Sequence, residues 1–184
     1  MKILGICGSL RKASYNMAAL RVCAELMPQG MTLTITSIAD MPMYNQDVMD
    51  AGMPEPVKRI RAEIAAADGL LLASPEYNFS VPAPLKNVID WASRAPNQVF
   101  QDKPVAIFSA SSPGPLGGAR VQYDLRRILT QLWAYPLPRP EVFIGMANTK
   151  FDAQGRLTDE TTKKFLTDLL NGFRDWIVRM QPKK

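Results

Sequence analysis

Five short apolar runs, each leading into a polar loop, constrain this chain more than any other feature. They are Ile3 to Cys7, Leu33 to Ile38, Leu70 to Ala73, Val105 to Ser109 and Glu141 to Ile144. Runs of this length, bounded by turn residues and rich in branched side chains, read as β-strands buried in a parallel sheet. Between and after them lie stretches with helical spacing. Leu20, Cys23, Ala24 and Met27 fall at i, i+3, i+4 and i+7, and Val57, Ile60 and Ile64 repeat the stripe. Leu85, Val88, Ile89 and Ala92 form a third, and Leu125, Ile128, Leu129, Leu132 and Trp133 a fourth, which Tyr135-Pro136 terminates. The last helix is expected from Thr158 as N-cap, with Asp159 and Glu160 in its first turn. Phe165, Leu166, Leu169, Leu170, Phe173, Trp176, Ile177 and Met180 lie on its packing side. Strand and helix alternate five times, so an α/β domain with one parallel sheet and helices on both faces is expected.

At 184 residues, with 47% hydrophobic and 21% charged residues, the chain has the size and composition of one globular domain spanning residues 1–184. No apolar run approaches the ~20 residues that cross a bilayer, and Met1 to Leu10 is too short and glycine-broken for a signal peptide. A cytoplasmic protein that does not engage a membrane is expected. Cys7 and Cys23 fall on the first strand and first helix without metal-ligand spacing, and read as core fillers in a reducing compartment. The net charge is +5, but the Lys and Arg residues are scattered and no aromatic-rich RNA signature accompanies them, so nucleic acid is not an expected partner. A positive field of this size favours anionic small molecules. The chain has no histidine. That excludes a His-dependent triad and histidine metal ligands, and points to chemistry brought by a cofactor.

The chemical residues concentrate in loops that follow strands. Gly8 to Asn16 joins the first strand to the first helix and supplies Ser9, Arg11, Lys12 and Ser14. A helix N-terminus carries unpaired N–H groups and roughly +0.5 of charge, so this loop is read as a phosphate cradle. The dinucleotide pattern Gly-x-Gly-x-x-Gly is absent, as is the Gly-Lys-Ser/Thr ending of a triphosphate loop; a terminal monophosphate suits the residues better than a pyrophosphate. The same serines and asparagine would serve a plain helix cap. The second loop, Ser74 to Pro82, follows the third strand, with prolines bracketing Tyr77 and Phe79. The third, Ala110 to Gly118, is rich in small residues that let a backbone approach a ligand closely. Asp40, near the end of the second strand, is read as a turn residue. Gly145 to Arg156 is read as a surface loop.

The first loop resembles the FMN-phosphate loop of the NADPH-dependent FMN reductase family, a flavodoxin-like group that includes chromate and quinone reductases and some azoreductases. Pro75, Glu76, Tyr77 and Asn78 match, one for one, the family segment that lines the isoalloxazine. The third loop is similar to the one that approaches the ring from the other side. The resemblance implies a flavodoxin-like three-layer sandwich with strand order 2-1-3-4-5, which would bring the three loops to one switch point. It implies FMN held by Ser9, Leu10, Arg11, Ser14, Tyr15 and Asn16 at the phosphate, by Pro75, Glu76, Tyr77, Asn78 and Phe79 along the ring, and by Ser111, Ser112 and Gly114 opposite. NAD(P)H would be the electron donor, and quinones, flavins, chromate or azo compounds the small-molecule acceptors, with no residue singled out as catalytic and no metal. A flavodoxin-type single-electron carrier and a flavin-free binding module are the alternatives. The family tends to form dimers or tetramers, so a homodimer or homotetramer is expected, with Leu85 to Trp91 contributing to subunit contacts. Arg120, Tyr123 and Glu141 would form a network across the interface.

Overall fold

The computed structural model describes residues 1–180. Its centre is a parallel sheet in which β1 (Lys2–Cys7) pairs with β2 (Thr32–Thr36) on one side and with β3 (Gly69–Ser74) on the other. Next to β3 runs β4 (Pro104–Ala110), and beyond it the edge is shared by β5 (Tyr135–Pro136) and β6 (Val142–Ile144), both parallel to β4. The order β2-β1-β3-β4-β5 is the expected 2-1-3-4-5. Side chains of successive strand residues point to opposite faces. Leu70 and Leu72 therefore enter one core while Leu71 and Ala73 enter the other.

The first core packs under α1 (Tyr15–Glu25) and α6 (Glu160–Met180), with Leu20, Cys23, Leu166, Leu169 and Phe173 fully buried. The opposite core packs under α3 (Glu55–Ala66), α4 (Ala83–Ala92) and α5 (Ala119–Gln131), through Ile60, Ile64, Leu85, Val88, Val121 and Leu125. The stripes of α3 and α4 land where their spacing places them, and that of α5 does so as far as Leu129. Both cysteines are free and buried; burial raises the Cys7 thiol pKa and pushes that of Cys23 up to about 12, so both serve as neutral core side chains. Among the described residues no helix is long and apolar enough to cross a membrane.

Four expectations are corrected. The fifth strand is broken in two. The register offset to β4 is 31 residues at Pro104↔Tyr135 and 34 at Phe108↔Val142, so three extra residues around Pro138 and Pro140 are looped out. Tyr135-Pro136 is thus edge strand rather than the stop of α5, which already ends at Gln131; Trp133 beyond it is 65% exposed at φ 61°. Proline suits such an edge because the missing N–H faces no partner. A short helix α2 (Gln46–Ala51), capped by the Asn45 side chain on the Asp47 N–H, occupies a stretch to which the sequence reading assigned no element. The segment after β6 is not a surface loop, since Ala147, Phe151 and Leu157 are all in the core. Finally, Asp159 rather than Thr158 caps α6, accepting from the Thr162 N–H at 2.8 Å, while the Thr158 hydroxyl donates to the Lys150 carbonyl. Ala24 and Phe165 lie on solvent-facing sides of their helices, and Met27 lies beyond the end of α1.

Candidate functional site

Ligands in sheets of this order bind beyond the carboxyl ends of the strands, at the switch point between β1 and β3. The loops after β1, β3 and β4 meet there around a cavity of about 360 Å³. That is within the ~300–1,000 Å³ range of small-molecule sites. Ten of the fourteen residues expected from the sequence line it: Ser9, Arg11, Ser14, Tyr15, Asn16, Pro75, Glu76, Tyr77, Ser111 and Ser112, joined by Ala110. Leu10, Asn78, Phe79 and Gly114 are not on its wall.

The phosphate cradle has the shape its residues dictate. Ser14 is extended (φ −77°, ψ 123°) and its hydroxyl oxygen accepts from the Met17 N–H at 3.3 Å, so it is the N-cap of α1. Ser9 accepts from the Arg11 N–H at 3.4 Å, closing the turn. The Arg11 guanidinium donates to the Ala13 carbonyl at 2.5 Å and lies 5.4 Å from the Tyr15 ring centroid, which steadies the side chain over the cradle while leaving most of its N–H donors free. Tyr15 in turn packs on Phe151.

Asn16 serves the architecture first. It is 3% exposed, and its carboxamide donates to the Ala110 carbonyl and accepts from the Ala110 N–H, both at 2.9 Å. One side chain thereby ties the first loop to the third. Glu76 ties the second loop to the third in the same manner. Helix α5 opens after Gly117-Gly118 with no side chain of its own to cap it. The Glu76 carboxylate fills that role from another loop, accepting from the N–H groups of Arg120 at 2.8 Å and Val121 at 3.1 Å, and facing the Arg120 guanidinium at 3.4 Å. Among the described residues, the only carboxylate on the cavity wall is therefore already engaged. Glu76→Ala should cost about 1–2 kcal/mol of stability, the usual value of a lost cap, and loosen both loops. Glu76→Gln should recover part of this, because its amide oxygen restores the cap while its NH₂ confronts Arg120. Urea unfolding of both variants reads the difference, and an unchanged midpoint for Glu76→Ala would refute the cap.

The outlying residues have a local cause. Tyr77 and Ser80 exchange backbone hydrogen bonds at 3.2 and 3.0 Å across a two-residue turn, with Asn78 at φ 49° and Phe79 at φ 65°. Two successive positive φ values define a type I′ turn, which points its central side chains away from the loop base. Phe79 is 68% exposed and its ring sits 4.1 Å under the Arg120 guanidinium. Gly114 stands away from the wall, its carbonyl accepting from the Met146 N–H. Leu10 is exposed on a neighbouring cavity.

The buttress of the third loop was invisible in the sequence. Ser111 bonds both the Ile144 carbonyl and the Ala147 N–H through its main chain, and the Ser112 hydroxyl donates to the Asn148 side chain at 2.7 Å. A Cβ on Gly145 would fall 2.1 Å from the Pro115 oxygen, so the two segments interlock too tightly for any other residue. The absence of a capping residue before α5 was a sequence signal for an outside cap, though not for Glu76 as the residue that supplies it. Nothing in the sequence pointed to Asn148. Within the chain, Arg120, Tyr123 and Glu141 do not form a network: Arg120 faces Glu76, Glu141 lies 3.6 Å from the Arg126 Nε, and Tyr123 packs near Phe143. Asp40 pairs with Arg59 at 3.0 Å, as a turn residue on the surface.

Residues 1–149 match the family model described as NADPH-dependent FMN reductase. An NAD(P)H-dependent FMN reductase of Pseudomonas aeruginosa is 48% identical over 181 residues, covering 98% of this chain and 97% of that protein. A quinone reductase of Escherichia coli is 41% identical, covering 98% of this chain and 97% of the relative. Among solved structures, the flavoenzyme NAD(P)H:(acceptor) oxidoreductase of Paracoccus denitrificans superposes with a TM-score of 0.88 at 36% identity, covering 97% of this chain and 98% of that one.

Proposed function

The chain belongs to the NADPH-dependent FMN reductase family, and from that premise we propose that its three-loop cavity holds FMN for the NAD(P)H-dependent reduction of quinones and flavins. The observation that carries this is the convergence of three post-strand loops on one cavity, locked to each other by Asn16 and Glu76. The donor set fits a phosphorylated flavin. Arg11, the Ser9 and Ser14 hydroxyls and the N-terminus of α1 offer positive charge and donors at one end. Pro75 to Tyr77 and Ala110 to Ser112 form two walls between which a planar ring system would lie.

Bound FMN would supply the transfer of a hydride from NAD(P)H and of electrons onward to an acceptor. The chain's own work is to bind and orient. Arg11 and the serine hydroxyls fix the phosphate end. The bracketing prolines and the Glu76 cap hold the second loop rigid. Tyr77, 49% exposed, lies at the solvent rim, where a donor or acceptor would enter. A single-electron carrier that does not use NAD(P)H is disfavoured by full-length similarity to NAD(P)H-dependent enzymes.

Chromate and azo compounds are carried as further acceptors, the chain 1–184 as one functional unit, and the cytoplasm as its location, supported by two buried, unpaired thiols. Exposed Phe79, Leu116 and Tyr123 beside the third loop support a contact face for a second copy, as a homodimer or homotetramer. Arg11→Ala should weaken FMN binding about tenfold, ~1.4 kcal/mol, measured by flavin fluorescence quenching on the flavin-free chain. Unchanged affinity would displace the phosphate from this cradle.

A further inference from the structure

A cavity of about 380 Å³ opens at the other end of the sheet from the three-loop site, where β4 and β5 begin. Gln101, Asp102, Thr130, Trp133, Ala134 and Tyr135 line it. The length of β4, roughly 20 Å at ~3.3 Å per residue, separates it from the flavin loops, so it belongs to a different site. On its wall, Trp133 stands where helix geometry favours glycine. The Trp133 N–H donates to the Thr130 carbonyl and the Ala134 N–H to the Leu129 carbonyl, both at 3.0 Å, the paired bonds of a Schellman motif at the end of α5. That motif places the residue after the cap in the left-handed region, and Trp133 is there at φ 61°. A bulky side chain is strained in that conformation. Burial does not offset the strain, because Trp133 is 65% exposed. A residue that breaks the local rule and gains no packing points to a use other than folding.

The surroundings of Trp133 suit a cation. Asp102, itself at φ 58°, donates its N–H to the Trp133 carbonyl at 2.9 Å, which fixes the two residues to one wall. The Asp102 carboxylate accepts from the Tyr135 hydroxyl at 2.7 Å. Among the described residues it forms no ion pair, since the neighbouring Lys103 ammonium turns to the Ala65 and Ala67 carbonyls instead. The cavity also lies at the C-terminal end of α5, the negative end of its dipole, and the last turn of that helix carries no basic residue. Among the described residues no guanidinium lies over the Trp133 or Tyr135 ring. A carboxylate, a helix C-terminus and two exposed aromatic rings attract positive charge, and rings hold best a cation whose charge is spread over methyl groups that need no hydrogen-bond acceptor. We propose that this cavity binds small molecules with a quaternary-ammonium head, which rests on Trp133 and Tyr135 and faces Asp102.

The test titrates tetramethylammonium chloride into the full-length, isotope-labelled chain and follows the indole N–H resonances by NMR. Trp133→Gly, which restores the residue that the helix end favours, identifies the Trp133 resonance and should melt at or above the wild-type temperature. The Trp133 indole should shift saturably in wild type, with half-saturation in the millimolar range that contacts at an exposed site support. Sodium chloride at equal ionic strength, and tert-butanol, of similar shape but uncharged, should give no saturable shift. Asp102→Asn still accepts from the Tyr135 hydroxyl but brings no charge, and should weaken binding about threefold. A shift that does not saturate, one that tert-butanol reproduces, one confined to Trp91 or Trp176, or unchanged affinity in Asp102→Asn would overturn the cation site. So would a Trp133→Gly variant that melts below wild type, because the indole would then serve stability. None of these outcomes bears on the FMN cavity.

Discussion

Replacing Arg61 by methionine should lower the melting temperature by roughly 10 °C. Arg61 sits on α3 and is only 8% exposed, yet it faces no carboxylate. Its guanidinium instead donates to four main-chain carbonyls at the end of α4 and in the segment after it: Ala92 at 2.6 Å, Asn97 at 3.0 Å, and Arg94 and Pro96. Burial lowers its pKa from the ordinary arginine value, but four carbonyl dipoles keep the charge satisfied. Methionine fills similar volume and removes every donor, stranding carbonyls that water reaches poorly. A hydrogen bond to a charged group is worth about 1.5–3 kcal/mol, and several made by one group do not add fully, so a loss of ~3–4 kcal/mol is expected. At about 2–4 °C per kcal/mol for a chain of this size, that is the stated shift. Arg61→Lys should fall between, because one ammonium cannot span four acceptors. Calorimetry decides, and a methionine variant melting within 2 °C of wild type would show that the segment holds itself.

Asn16→Leu should cost about 2–3 kcal/mol and at least tenfold in FMN affinity. Both polar atoms of Ala110, itself 3% exposed, would lose their side-chain partner at once. An orphaned buried polar group costs ~1–3 kcal/mol. The ligand effect has a separate cause: with the clamp gone, the first and third loops no longer share a fixed spacing, and ordering them falls to the ligand. Asn16→Asp is the control. Its carboxylate still accepts from the Ala110 N–H but meets the carbonyl with repulsion, so affinity should fall less than in the leucine variant. Chemical unfolding and flavin titration measure the two effects independently. Wild-type values in both for Asn16→Leu would remove the clamp.

Both predictions rest on side chains whose roles sequence reading missed. Asn16 was assigned to the FMN phosphate through the resemblance of its loop to the family's phosphate loop, and the partner that shows its clamping role, Ala110, lies 94 residues away. Arg61 falls between the apolar positions Ile60 and Ile64, where an arginine ordinarily faces solvent; only the fold of the segment after α4 turns it inward. Glu76 was read for its place in the second loop, while its carboxylate closes the end of a helix 44 residues later. Asn78 and Phe79 were placed along the ring by the family resemblance, and the positive φ at both turns them away from the cavity wall.

What the sequence by itself determined about this protein is what neighbouring residues decide among themselves. Short apolar runs marked β1, β3 and β4 as strands buried on both faces, and period-3.6 spacing marked the buried faces of α3 and α4, because a helical side chain's direction repeats with the backbone that carries it. Serine before Tyr15 and proline near the start of α4 fixed where two helices begin. Parallel strands joined by helices then left few arrangements, and the loops after β1, β3 and β4 were bound to gather at one end. Tertiary structure alone decided how those loops are held, where the edge strand breaks around Pro138 and Pro140, and that Phe151 and Leu157 enter the core. Each of these is a long-range satisfaction of polar groups or apolar surface. The demand was legible locally as an uncapped helix or an exposed strand edge, but its answer comes from residues that only the folded chain brings near.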